Sequence, residues 1–373
     1  MNHDCADHHH RVLVINTGSA STKIAVYEGC ESAHLLWSQL LEHSAVGSAL
    51  FDGTSSQLEA RADAILKCLA EKGEAGDGLD AVVARGGALR PMPGGVYLID
   101  EALVDDVTNR PALQHAANYS PPIAFRLASE RNIPAYLLDP ITVDEFEPLA
   151  RFSGLPQVPR LSRLHALSVR STARKAAEAL GHPLTEVNII VAHLGSGISI
   201  AAVKKGRMVD VNGADDEGPF SPERSGSVCA SDVAAMCFSG EFSEDDLVRK
   251  LCRRSGLLAH LGTADARDIE KMIQSGDTHA LVVSEAMFYG IAKEIGAMAT
   301  VLSGDVDAIA ITGGLAHWPR LVDYVTARCK FLAPIQLYPG ENEMEALATG
   351  ALRALVGLEP VKRYEPASGG ANG

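Results

Sequence analysis

The sequence predicts an α/β protein of two domains, each a copy of one unit, and three observations lead there. The chain has 373 residues, beyond the length at which one hydrophobic core keeps growing, and 46% of them are hydrophobic, enough for two cores. Short β-branched apolar runs alternate with stretches whose apolar residues recur every three and four positions, as buried strands alternating with amphipathic helices would. Finally, the sequence echoes itself. Residues 189–206 can be laid on residues 12–29 without a gap, which places Gly195 on Gly18, Ser196 on Ser19, Val203 on Val26 and Gly206 on Gly29. Asp80-Ala81 leading to Gly86-Gly87 is echoed in the same order by Asp307-Ala308 leading to Gly313-Gly314, and self-similarity of this kind marks a repeated unit.

Residues 12–15 form a continuous β-branched run, followed by the polar turn Asn16-Thr17-Gly18-Ser19 and a second strand-like run over 23–27. Helical spacing then recurs over 58–71, 122–131, 166–180, 243–253, 280–302 and 343–356, and residues 135–138 and 308–312 read as buried strands. Residues 1–10 and 359–373 read as flexible tails; His8, His9 and His10 are taken as part of the first rather than as a metal site.

Composition narrows the function. A net charge of −14 with no basic stripe argues against nucleic acid as a partner. The first ten residues lack the apolar core of a signal peptide, and no run is long and apolar enough to span a membrane, so the expected location is the cytoplasm. Seven scattered cysteines without a CxxC pair read as reduced thiols.

Both copies place Gly and Ser in a hairpin after the first buried strand. Each alone reads as an ordinary turn; together, in register, they suggest a nucleotide held in a cleft between two domains with its phosphates gripped from both sides. No GxxxxGK[ST] loop and no GxGxxG after a strand is present, which disfavours a P-loop enzyme or a dinucleotide dehydrogenase.

Asn16-Thr17-Gly18-Ser19-Ala20-Ser21-Thr22-Lys23, Ala84-Arg85-Gly86-Gly87, Asp139-Pro140, Ser221-Pro222-Glu223-Arg224-Ser225-Gly226 and Pro339-Gly340-Glu341-Asn342-Glu343 resemble, in this order, the acetate and butyrate kinase family, and residues 11–356 resemble its butyrate branch almost throughout. That resemblance implies a duplicated ribonuclease H-like fold of the sugar kinase, actin and heat-shock ATPase kind: an N-terminal domain over 11–155 joined by the helix at 343–358, and a nucleotide-binding domain over 156–342. It further implies that Asn16, Ser19, Ser21 and Lys23 form a first phosphate loop and His193, Gly195, Ser196 and Gly197 a second. Gly313 and Gly314 would let the backbone approach the nucleoside of ATP or ADP, with Asp265 and Arg267 contacting adenosine.

By the same resemblance, Arg224 and His165 stabilise the transferring phosphoryl group, a guanidinium fork suiting planar oxygen arrays and an imidazole donating to an equatorial oxygen. Asp139, after a strand and before Pro140, and Glu343, at a helix start after Pro339-Gly340, are the carboxylates expected to hold Mg2+ directly or through water; a surface carboxylate or an N-cap is the alternative for each. Acetate kinases carry an arginine and, a few residues later, a histidine in the strand that holds Arg85. Here Arg85 stands in the histidine's place and Val82 in the arginine's, and Arg85 is assigned to the substrate carboxylate or phosphate. Tyr119, in Asn118-Tyr119-Ser120-Pro121-Pro122, is expected near the acyl pocket, where it would influence chain length.

The implied reaction is direct in-line transfer between ATP and the carboxylate of a short-chain fatty acid, butyrate first, with isobutyrate, propionate and acetate as alternatives. The resemblance also implies a homodimer or larger homo-oligomer. Two rivals stand beside it: a sugar kinase, which would need an aspartate base such as Asp139, and a non-catalytic ATP-dependent regulator.

Overall fold

The computed structural model describes residues 9–43, 55–74, 78–215, 217–340 and 342–366. Residues 1–8, Cys5 and His8 among them, and 367–373 lie outside them, but residues 359–366 do not form a flexible tail: Val361–Arg363 pair in parallel with Val96–Leu98, and the buried Tyr364 donates to the Asp106 carboxylate at 2.7 Å. His10 does not belong to a tail: it opens the first strand and pairs with Gly29.

From the N-terminus the chain forms β1 (His10–Thr17), β2 (Ser21–Gly29), β3 (Ala33–Glu42), α1 (Ser55–Glu71), β4 (Ala81–Arg85), β5 (Val96–Leu98), α2 (Glu101–Asn109), α3 (Ser120–Ser129) and β6 (Ala135–Leu138). It continues through α4 (Ala166–Leu180), β7 (Asn188–Leu194), β8 (Ile198–Lys204), β9 (Arg207–Val211), α5 (Ala230–Phe238), α6 (Glu244–Arg253), α7 (Gly256–Leu261), α8 (Ala266–Gln274), α9 (Thr278–Val301), β10 (Ala308–Gly313), α10 (Pro319–Cys329) and β11 (Ile335–Pro339). It closes with α11 (Glu343–Leu355) and β12 (Val361–Arg363).

Two compact units result. The first takes the described residues up to Val143 and those from Asn342 onward; the second takes those between. The division falls at 143/144 rather than at the expected 155/156, because the intervening residues bond to the second unit: the Glu147 N–H donates to Val209 O at 2.9 Å, and the Glu145 carboxylate accepts from the Met208 N–H at 2.8 Å and from Arg170 at 2.9 Å.

Unit 1 has one sheet in the order β12-β5-β6-β4-β1-β2-β3, and unit 2 one in the order β11-β10-β7-β8-β9. Both contain the same series: an antiparallel meander (β3-β2-β1, β9-β8-β7) whose innermost strand pairs in parallel with the next (β4, β10). This is the duplicated ribonuclease H-like fold. The cores follow from the sequence pattern. Val12 to Ile15 and Ile189 to Ala192 are completely buried, as the unbroken apolar runs of central strands require.

The internal echo extends to one device. In unit 1 Val12 lies opposite Ala81, and the Asp80 carboxylate accepts from the Arg11 N–H at 2.7 Å while the Asp80 N–H donates to Arg11 O at 2.8 Å. In unit 2 Ile189 lies opposite Ala308, and the Asp307 carboxylate accepts from the Asn188 N–H at 2.7 Å while its N–H donates to Asn188 O at 2.9 Å. Each aspartate thus locks the register of the two central strands. The hairpins differ: the β1–β2 ladder ends on the Thr17–Thr22 pair and the β7–β8 ladder on Leu194–Ile198, so the second turn is one residue shorter.

Among the described residues no helix is long and apolar enough to cross a membrane. Cys30 is disulfide-bonded, which corrects the reading of seven reduced thiols; pairing depends on a second sulfur approaching in space, and scattered spacing along a chain does not report that. Cys68, Cys229, Cys237 and Cys329 are free thiols.

Candidate functional site

In unit 1 the turn between β1 and β2 carries the first set of expected phosphate-binding residues. Asn16 and Lys23 face each other in the ladder, and Ser19 and Ala20 stand exposed at the tip. Thr17 fixes the base of the turn: its N–H donates to Ser120 Oγ at 3.1 Å and its hydroxyl donates to Ala116 O at 2.8 Å. Arg61, on α1, reaches beneath the turn with its guanidinium, a residue that sequence reasoning missed. Tyr119 corrects another expectation. It is 1% exposed and its ring lies under the Arg61 guanidinium at 5.0 Å, so it is a core residue and does not line an acyl pocket.

The same unit brings Arg85, at the end of β4, to Glu343, the first residue of α11, in a half-buried ion pair at 2.7 Å. Asp139 follows β6 with φ +34° and is 7% exposed; its carboxylate accepts from the Gly95 N–H at 2.8 Å, and its own N–H donates to Gly95 O at 3.2 Å. Among the described residues no group of three or more His, Cys, Asp or Glu side chains could hold a metal ion. Magnesium does not need one, because it is commonly held by one or two carboxylates together with water and phosphate oxygens, so the hard oxygens of Asp139 and Glu343 fit its chemistry.

Unit 2 holds the other set. His165 occupies the N-cap position of α4 but makes no cap with its side chain. Instead its Nδ1 lies 3.0 Å from Ser199 Oγ, and its ring stacks on His193 with centroids 4.3 Å apart and planes 24° from parallel. His193, on β7, is 4% exposed, with Nδ1 2.8 Å from Ser168 Oγ. Burial, and then the neighbouring His165, push its pKa down to about 3, so it is neutral at pH 7. The unfolded chain therefore takes up a proton near pH 6.5 that the folded chain refuses until about pH 3, and stability falls as pH drops through that window. Urea unfolding at pH 7 and pH 5 should show a loss on the order of 2 kcal/mol from this group, reduced in a His193→Gln variant.

Between β7 and β8, Gly195, Ser196 and Gly197 form the second turn, with the Gly195 N–H donating to Gly197 O at 3.2 Å. Arg224 lies against it: a Cβ on Gly197 would sit 2.1 Å from Arg224 Nη1. That nitrogen donates to Ala214 O at 2.5 Å and pairs with Asp215 at 3.0 Å, and the Ser221 hydroxyl ties the Arg224 turn to Ser196 O. Gly313, at the end of β10 with φ +94°, is pressed on the other side of the same turn, where a Cβ would lie 2.3 Å from Leu194 O. Thus the histidine pair, the Gly195–Gly197 turn, Arg224 and Gly313 form one assembly within unit 2.

Beside Gly313 opens a pocket of about 580 Å³ lined by Asp265, Arg267, Gly314, Leu315 and Trp318 among others. Asp265 caps α8, accepting from the Arg267 N–H at 2.8 Å and from the Arg267 side chain at 3.0 Å. Those bonds hold its carboxyl well below the usual carboxylate range. Glu270, further along α8, accepts from Trp318 Nε1 at 2.9 Å and from Arg320 Nε and Nη2 at 3.0 and 2.8 Å, which fixes the indole edge. Gly314 faces open space, so of the two glycines expected at the nucleoside it is Gly314 that lines the cavity, while Gly313 serves the turn.

The chain is 45% identical over 354 residues, 95% of its length and 99% of the relative's, to the probable butyrate kinase 2 of Caldanaerobacter subterraneus subsp. tengcongensis. Among solved structures it resembles the acetate kinase of Porphyromonas gingivalis (TM-score 0.74, 21% identity, 92% of this chain and 99% of that one). It also resembles a propionate kinase of Francisella tularensis subsp. tularensis SCHU S4 (TM-score 0.68, 19% identity, 91% and 98%), likenesses that concern the fold. Residues 160–336, which contain the histidine pair, Arg224 and Gly313, match the acetokinase family, and with the near full-length relative they place this chain in that family.

Proposed function

We propose that the protein catalyses reversible phosphoryl transfer between ATP and a short-chain fatty acid, butyrate foremost, yielding ADP and butyryl phosphate. Membership of the acetokinase family supports a carboxylate kinase, and the relative named as a probable butyrate kinase supports the acyl chain. The observation that carries the reading is the contact of the Arg224 guanidinium with the Gly195–Gly197 turn, beside a pocket of about 580 Å³, a volume suited to a nucleoside.

A carboxylate acceptor is already ionised at pH 7, so the enzyme needs no general base. What it must supply is position and compensation of charge on the transferring group. Arg224, anchored through Nη1, offers the rest of its fork to equatorial oxygens; His165, oriented by Ser199 and stacked on a neutral His193, donates beside it. Asp265, Arg267 and Gly314 receive adenosine, while Asn16, Ser19, Ser21, Lys23, His193, Gly195, Ser196 and Gly197 bind phosphate oxygens. Arg85, steadied by Glu343, meets the carboxylate or phosphate of the acyl substrate. Asp139 and Glu343 would hold Mg2+, which neutralises phosphate charge when bound. A sugar-kinase role for Asp139 as base is disfavoured by membership of a family of carboxylate kinases, whose acceptor needs no base.

Purified protein incubated with ATP, magnesium, hydroxylamine and acids from acetate to valerate, isobutyrate included, should form hydroxamate in an acid-dependent way with butyrate the best acceptor. Equal or greater rates with acetate would move the assignment along the series, and no hydroxamate with any acid would end the carboxylate-kinase reading. We place the enzyme in the cytoplasm, as a homodimer or larger homo-oligomer. The exposed Leu149, Phe152, Leu155, Val158 and Leu161 of one short segment support the assembly, and sedimentation of the same preparation reads it.

A further inference from the structure

Arg61 is 4% exposed, an unusual position for a guanidinium that has no carboxylate partner among the described residues, and all its named bonds go to one place. Nη1 donates to Gly18 O at 3.1 Å, Ser21 O at 3.3 Å and Thr22 Oγ1 at 3.1 Å; Nη2 donates to Ser19 O at 2.9 Å. The fourth turn carbonyl, Ala20 O, accepts from the His43 N–H at 2.9 Å. Every carbonyl of the turn is therefore committed, three of them to one buried cation whose other face rests on the Tyr119 ring.

In a trans peptide the C=O and the following N–H point in opposite directions. With Gly18 O and Ser19 O drawn down onto Arg61, the N–H groups of Ser19 and Ala20 must point up, at the exposed tip of the turn. Two successive N–H groups presented in this way form a concavity for an anion, and a fixed positive charge lies directly beneath it. Without that cation the Gly18, Ser19 and Ser21 carbonyls of this turn would lose their common partner, and peptide planes could rotate to aim oxygen instead of N–H outward.

We propose that Arg61 is a positioning residue for nucleotide binding: it touches no substrate but sets the peptide planes of Gly18 to Ser21 so that the Ser19 and Ala20 N–H groups receive a phosphate. The proposal rests on reading that turn as a phosphate loop. Three variants test it by equilibrium titration with ATP and ADP, by steady-state kinetics and by thermal melting. Ser19→Asp places a negative charge at the exposed tip and tests the loop itself; Arg61→Ala and Arg61→Lys test the support. Ser19→Asp should weaken ATP binding at least tenfold. Arg61→Ala should raise Kd and KM for ATP by about tenfold, leave KM for the acid within about twofold, and be partly restored by added guanidinium ion. Arg61→Lys, which keeps the charge but loses the fork, should fall between Arg61→Ala and the parent. If Ser19→Asp weakens binding but both Arg61 variants, folded, bind ATP as the parent does, or show only a lower melting temperature without guanidinium rescue, the role of Arg61 is refuted while the loop stands. If Ser19→Asp binds normally, the loop reading fails first. Should Arg61→Ala not fold, Arg61→Lys decides alone.

Discussion

Replacing Arg224 with alanine should lower kcat for acyl phosphate formation about a thousandfold while changing the Kd for ATP only a few-fold. The guanidinium is fixed before substrate arrives: Nη1 is tied to Ala214 O and Asp215, and the turn that carries it is tied through Ser221 to Ser196 O. A cation fixed in this way needs no reorganisation as charge spreads over the equatorial oxygens, and such an interaction is worth more in the transition state than in the ground state. The loss therefore falls on kcat. Arg224→Lys keeps a charge but not a planar fork, and should recover no more than about a tenth of the lost rate. Single-turnover measurement separates the chemical step from product release. A variant whose chemical step is within a few-fold of the parent would remove Arg224 from the mechanism.

The second large effect is structural. Gly313→Ala should destabilise unit 2 by about 3–5 kcal/mol, read as a lower urea midpoint of its unfolding, because it combines left-handed strain with overpacking. The residue has φ +94°, and the added Cβ would meet Leu194 backbone atoms at 2.3 to 2.8 Å, with no flexible side chain to yield. Relief requires moving Leu194, hence the Gly195–Gly197 turn, so nucleotide affinity should fall with stability. Gly314→Ala is the control. Its Cβ meets nothing within 4 Å, and the variant should keep the parent's urea midpoint while weakening only binding in the pocket that Gly314 lines.

Much of the fold was legible because its strands and longer helices are written in local pattern. Residues 135–138 and 166–180 are read to the residue, and the echo of residues 12–17 in 189–194 is reproduced by β1 and β7; past the turn the gapless match slips by one, because Val12 faces Tyr27 while Ile189 faces Val203, which puts Val203 at the place of Tyr27 rather than Val26. β3 was not legible: Leu35, Leu36 and Leu40 are half exposed, so its apolar residues follow no inward-outward alternation. Site residues that belong to a motif could be named from sequence, but what they touch could not. Arg85 and Glu343 stand 258 positions apart, and nothing local announces that one neutralises the other. Arg61 was invisible for a related reason. A lone arginine on an amphipathic helix reads as a solvated charge, and only the packing of α1 turns it inward. Tyr119 shows the converse: expected near the acyl pocket, it invited a functional reading, yet it is the floor under that arginine.

The paired aspartate locks at Asp80 and Asp307 also date the parts of the molecule relative to one another. A device present at the same place in both halves is most simply inherited from a single ancestral segment, older than its doubling. The arginine beneath one turn, the stacked imidazoles beside the other, and the one-residue difference in turn length occur in one half each and record divergence afterwards. Ancestry kept the scaffold of the strands and let each descendant turn find its own way of holding its shape.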